Sequence, residues 1–162
     1  MSNTPNFERA VSVTQDSIAN STRPRSTILY AAASVTSLVG LGDAIYLAVE
    51  HVAGRSVQCT LVSGCSEVLS SQYASVRGIP LALIGAIAYF SVFSLATLAA
   101  FGYKGAGKLL TPMVGLMFLT SLWLIYLQAF VIKAFCQFCL LSALVTFILT
   151  GLVVAIIIRE RR

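Results

Sequence analysis

Residues 135–158 read FCQFCLLSALVTFILTGLVVAIII, a Cys-x-x-Cys pair at the head of a long uncharged apolar run. Such a run is long enough to cross a bilayer as a helix, which needs roughly 20 residues. The spacing of Cys136 and Cys139 is the commonest for a dithiol that cycles between thiol and disulfide. Placed in or beside the first helical turn, both sulfurs feel the positive end of the helix dipole, which favours thiolate. Residues three apart share a helix face, so Cys139 lies about one turn deeper than Cys136. One thiol can then meet the aqueous side while the other meets something dissolved in the membrane.

The rest of the chain agrees with a membrane setting. Of its 162 residues 57% are hydrophobic and 10% charged, with a mean hydropathy of +0.87. Soluble domains carry roughly 25% charged residues. Three further apolar segments precede the first, over residues 28–49, 79–101 and 109–132. Continuous runs of this length are too long for barrel strands, so the expected fold is all-α, a four-transmembrane-helix bundle. Residues 1–27 form a polar tail without a signal-peptide core, and residues 159–162 a basic tail. The net charge of +5 comes from scattered ends of segments rather than from a basic run, which gives no nucleic-acid signal.

Lysines and arginines fall unequally about the segments. Arg9, Arg23, Arg25, Lys104, Lys108, Arg159, Arg161 and Arg162 share one side; Arg55, Arg77 and Lys133 share the other. The positive-inside rule puts the first group, and both termini, in the cytoplasm. The first loop, with Cys59 and Cys65, then shares the outer side with Cys136 and Cys139. In a bacterium that is the oxidising side of the plasma (inner) membrane.

Four thiols in two close pairs have other readings. They can form two inert structural disulfides in a structural membrane subunit, or a tetrathiolate zinc site. Zinc is disfavoured, because the spacing of Cys59 and Cys65 exceeds the usual two to four residues and oxidation competes outside. Inert bridging explains poorly a Cys-x-x-Cys pair at a lipid boundary, since so tight a loop constrains little chain entropy.

The loop cysteines, Ser66-Glu67-Val68-Leu69-Ser70-Ser71 after them, then Gly78-Ile79-Pro80 and finally Phe135 to Cys139, together resemble the vitamin K epoxide reductase family, in its bacterial branch. The resemblance runs from about Ile28 to Ile158. It implies a four-helix bundle around a membrane quinone, ubiquinone or menaquinone. By that resemblance Cys59 exchanges with a thioredoxin-like (DsbA-like) partner, Cys65 relays to Cys136, and Cys139 faces the quinone. Ser71 lies near the active site, beside a short helix of the loop. Val68, Leu69, Tyr73 and Val76 give that helix an apolar side, which would hold Cys65 near the bundle. Vertebrate members carry Tyr at the position of Ala143 and Asn near Leu81; both bear on vitamin K binding, which leaves vitamin K epoxide as an alternative substrate. Many bacterial members continue into a fused thioredoxin-like domain. This chain stops at Arg162, so the partner is expected to be a separate periplasmic protein. The expected activity is a quinone-dependent thiol-disulfide oxidoreductase supporting disulfide formation in exported proteins. A DsbB-type oxidase has the same chemistry but the opposite order of cysteine pairs.

Asp43 stands inside the first apolar segment, about 15 residues past Ile28 and roughly 22 Å along a helix. An acid there is a functional candidate by default: it can deliver protons to a quinone, or it can be a satisfied polar contact. His51 reads as a loop residue, and Pro112 as a proline near a helix start. Gly40, Gly42, Gly85 and Gly115 read as sites of close helix approach.

Overall fold

A computed structural model describes residues 24–54, 65, 68, 74–76 and 78–161. Four long helices account for most of them: α1 (Pro24–Val52), α2 (Leu81–Ala100), α3 (Lys104–Tyr126) and α4 (Gln137–Arg161). Each is long and apolar enough to cross a membrane. The chain is therefore an all-α, multi-pass membrane bundle.

Backbone bonding explains why helices result. In lipid every N–H and C=O must be satisfied within the segment. The many Ser and Thr hydroxyls follow the same rule by bonding the preceding turn, as Thr36 does to the Ala32 carbonyl at 2.8 Å and Thr150 to the Thr146 carbonyl at 2.8 Å. Large apolar residues such as Val35, Ile87, Leu116 and Leu144 point outward, as expected where lipid rather than water is the solvent. The interior mixes small or slender residues, among them Ala33, Ala44, Ala86, Val92, Ala96 and Val114, with a few large ones such as Tyr89, Leu110 and Leu149.

Helix α1 packs on α2 and α4, and α3 packs on the same two. Tyr89 of α2 fastens the centre. Its buried hydroxyl donates to the Ser142 carbonyl of α4 at 2.8 Å and also meets the Ser142 and Thr146 hydroxyls at 2.8 and 3.0 Å. The ring lies against Gly40, where any Cβ would overlap it. Gly40 thus serves close approach as its residue type suggests. Gly42 and Gly115 have no packing neighbour there among the described residues. At one end of the bundle the Tyr30 hydroxyl donates to Glu160 at 3.0 Å, so the two outermost ends of the described chain lie together.

The opposite end is less regular. A minimal antiparallel pair, β1 (Ser75–Val76) and β2 (Ile79–Pro80), turns through Gly78 at φ +84° and leads into α2. Helix α3 does not end in ordinary form. It widens into a π-helical stretch, Leu127–Ile132, and stops at Lys133, whose φ of 54° is left-handed. That residue lets the chain reverse within 133–136, a tight connection before α4.

Helix boundaries depart from the apolar runs where polar residues continue the helix. Helix α3 starts at Lys104 instead of 109, so Pro112 is interior rather than near the start. Helix α1 extends to Val52 and takes in His51, which is therefore no loop residue. Helix α4 begins at Gln137, so Cys136 stands just ahead of the apolar helix.

Candidate active site

Cys136 is the cap of α4. Its carbonyl accepts the Leu140 N–H at 3.0 Å, the first bond of the helix, and its sulfur accepts the Cys139 N–H at 3.5 Å. This is the geometry by which a polar side chain satisfies an orphan donor at a helix start. The Cys-x-x-Cys spacing fits because the third residue after the cap presents its N–H to the cap side chain. Both cysteines are free thiols; Cys136 is fully buried and Cys139 half-buried.

The surroundings settle where charge resides. A hydrogen bond from the Cys139 thiol, helped by the Cys139 and Phe138 N–H groups, holds the Cys136 thiol down at about 7, against the opposing effect of burial. Negative charge belongs on Cys136, at the positive end of the helix.

Two other contacts fix this corner. Phe138, between the cysteines, packs its ring against Tyr46 of α1 with centroids 5.3 Å apart. Gln128, from the π-helical stretch, accepts the Cys136 N–H on its side-chain oxygen at 3.1 Å. Leu47, Cys65, Val68, Ala134 and Cys136 form one buried cluster, with Cys139 packed against it. Cys65 and Val68 are helical, and Cys65 is in a disulfide whose other half lies outside the described residues. Cys59 and Ser71 also lie outside them.

A cavity of about 130 Å³ opens beside Cys139. Its volume is on the order of the roughly 150 Å³ hole that takes up benzene in an engineered apolar core, so one aromatic ring fits. Leu81 and Ala143 both line it, as does Asp43. Asp43 is buried, and its Oδ2 has no hydrogen-bond partner among the described residues. Cys136 does not line the cavity, whereas Cys139 does. The fold thus brings Cys65, Cys136 and Cys139 into one cluster, with Asp43, Leu81 and Ala143 around the adjoining space.

The order of the cysteines, the capped Cys-x-x-Cys and the adjoining cavity agree with one family. The vitamin K epoxide reductase family model matches residues 31–154. The chain belongs to the vitamin K epoxide reductase family. It is accordingly a membrane oxidoreductase acting on thiols, and the match takes in all four cysteines and most of each of the four helices. Quinone-type compounds are the general substrates of vitamin K epoxide reductase family members, and the apolar, ring-sized space against Cys139 fits that group.

Two site residues were not evident from the family pattern. Gln128 and His51 both line the cavity. The signal for Gln128 was present, since it is a lone amide within the apolar run 109–132. That signal is the same as the one that singled out Asp43.

Proposed function

We propose that this protein carries electrons from the dithiol of a thioredoxin-like (DsbA-like) partner to a membrane quinone, and so supports disulfide formation in exported proteins. The observation that carries the reading is the burial of Cys65 in the same cluster as Cys136, with Cys139 alone of the three turned to the cavity.

The sequence of steps follows from thiol–disulfide exchange, which runs through mixed disulfides. The partner's thiolate attacks the Cys59–Cys65 disulfide at Cys59, and the partner's second thiol releases its own disulfide. The loop pair is left reduced. Cys65 then attacks Cys136 of the oxidised Cys136–Cys139 disulfide, and Cys59 resolves the product by attacking Cys65. This reforms the loop disulfide and leaves Cys136 and Cys139 as thiols. The quinone, when bound, accepts two electrons and two protons. Cys136 and Cys139 give up two electrons as their sulfurs join, with Cys136 as the thiolate that closes the bond; Cys139, on the cavity side, gives one proton, and the proton that Cys136 released earlier is made up from the outer solution by way of Asp43. Asp43 exchanges a proton at the cavity wall and ends unchanged.

The charge bias supports a reading in which this end of the bundle faces outward from a bacterial plasma membrane, with both termini in the cytoplasm. The apolar Leu81 and Ala143 favour a membrane quinone over vitamin K epoxide as the substrate. The deciding experiment is oxidation of a reduced DsbA-like protein by the purified chain. Stoichiometric loss of thiols on addition of a quinone supports the reading. Oxidation at the same rate without quinone refutes it.

A further inference from the structure

We infer that Gln128 is the hydrogen-bond donor that orients a ring carbonyl of the bound quinone, an inference that rests on the quinone reading above. A buried amide within a transmembrane segment is costly unless its polar atoms are used. Gln128 is only 3% exposed. Its oxygen is used: it accepts the Cys136 N–H at 3.1 Å. A backbone N–H can only donate, so the side-chain atom facing it is the oxygen and not the nitrogen. The amide therefore cannot be turned over, and the NH₂ group points away from Cys136.

That NH₂ group makes no hydrogen bond among the described residues, and Gln128 lines the cavity that Cys139 also lines. Two N–H donors are thus held unused at a ring-sized space. A quinone carbonyl, which can only accept, is the complementary group.

Of the other lining side chains, His51 also carries an N–H donor, but only Gln128 is hydrogen-bonded to the backbone of the Cys-x-x-Cys pair. Leu81 and Ala143 have no side-chain donor. The Ser142 hydroxyl is already engaged with Tyr89 at 2.8 Å. Ser121 lies two helical turns before Gln128, roughly 10 Å along α3, and has no tie to the cysteines. Gln128 both lines the cavity and is hydrogen-bonded to Cys136, which does not line it. Its position comes from the π-helical stretch Leu127–Ile132. A π turn changes which face the following side chains present, and such turns recur at functional sites. One side chain then holds the backbone of Cys136 with its oxygen and presents its nitrogen to the space beside Cys139.

The test uses the full-length protein in detergent micelles and a short-chain 1,4-naphthoquinone with ¹³C-labelled carbonyls. In infrared difference spectra the wild-type protein should lower one carbonyl frequency relative to the free compound. Gln128→Met, of similar length, should return that band to the free position and weaken binding about tenfold, the worth of one hydrogen bond. A second readout needs no stable Met variant. In protein labelled with [¹⁵N]glutamine, the side-chain amide resonance that is lost in Gln128→Glu should shift when naphthoquinone is added to wild type. An unchanged carbonyl band in Gln128→Met, or an unmoved amide resonance on binding, overturns the inference and leaves the quinone reading intact. Failure of wild type to bind the naphthoquinone overturns both.

Discussion

Replacing Cys139 by alanine removes the largest influence on Cys136. In the native arrangement the Cys139 thiol donates to the Cys136 sulfur, and Cys136 titrates at about 7 instead of the ordinary 9.0. The difference between 9.0 and about 7 corresponds to roughly 3 kcal/mol of preference for the thiolate. At pH 7 about half of Cys136 is then thiolate, against roughly one part in a hundred for an ordinary thiol. Cys139→Ala leaves only the Cys139 and Phe138 N–H groups to oppose burial, so the midpoint should climb most of the way back. Cys139→Ser, whose hydroxyl can donate to the same sulfur, should recover part of the effect. The assay is the ultraviolet absorbance of thiolate against pH, in protein whose loop pair is kept oxidised. The sign for stability follows. A thiol whose folded value lies below its unfolded value stabilises the reduced fold fully above about pH 9, and this contribution is lost as pH falls through about 7. Wild type should therefore lose stability across that window, and Cys139→Ala much less. A wild-type midpoint at or above 9, or the same midpoint in Cys139→Ala, would refute the capping argument.

Three further outcomes follow from the same geometry. A partner whose second thiol is replaced by serine should be trapped as a mixed disulfide on Cys59, most fully with Cys65→Ser, and Cys59→Ser should accumulate a Cys65–Cys136 disulfide; non-reduced peptide mapping by mass spectrometry reads both, and a partner found on Cys65 contradicts the order of exchange. Asp43→Asn should slow quinone reduction about a hundredfold, the lower end of the roughly 10²–10⁴ range of general acid–base catalysis, while exchange between the loop pair and the partner keeps its wild-type rate; equal turnover would leave Asp43 without a chemical role. Gly40→Ala sets a methyl group against the Tyr89 ring and should cost about 1–3 kcal/mol, as overpacking does, measured as a lower midpoint of thermal unfolding in detergent; Gly42→Ala, with open space at its Cβ, is the control and should leave the midpoint unchanged.

The sequence by itself determined the class of fold and the chemistry. A bilayer demands long apolar segments with internally satisfied backbones, and four such segments stand out by composition alone. The Cys-x-x-Cys at a helix head marked the candidate redox centre in the same way, because capping and the helix dipole act within one turn. Tertiary structure alone decided what surrounds that centre. Gln128 meets Cys136 because α3 ends in a π-helical stretch and Lys133 takes a left-handed backbone, neither of which has a periodic signature in the sequence. Asp43 stood out as an acid in an apolar run, but whether it faced a partner or an empty wall depended on how α1 packs against α2 and α4. Gly40 and Gly42 look alike in the sequence, two residues apart on one helix, yet only Gly40 meets Tyr89. Local forces act over a turn or two and are legible in the chain, whereas a cavity is bounded by residues from several helices and exists only once those helices have packed.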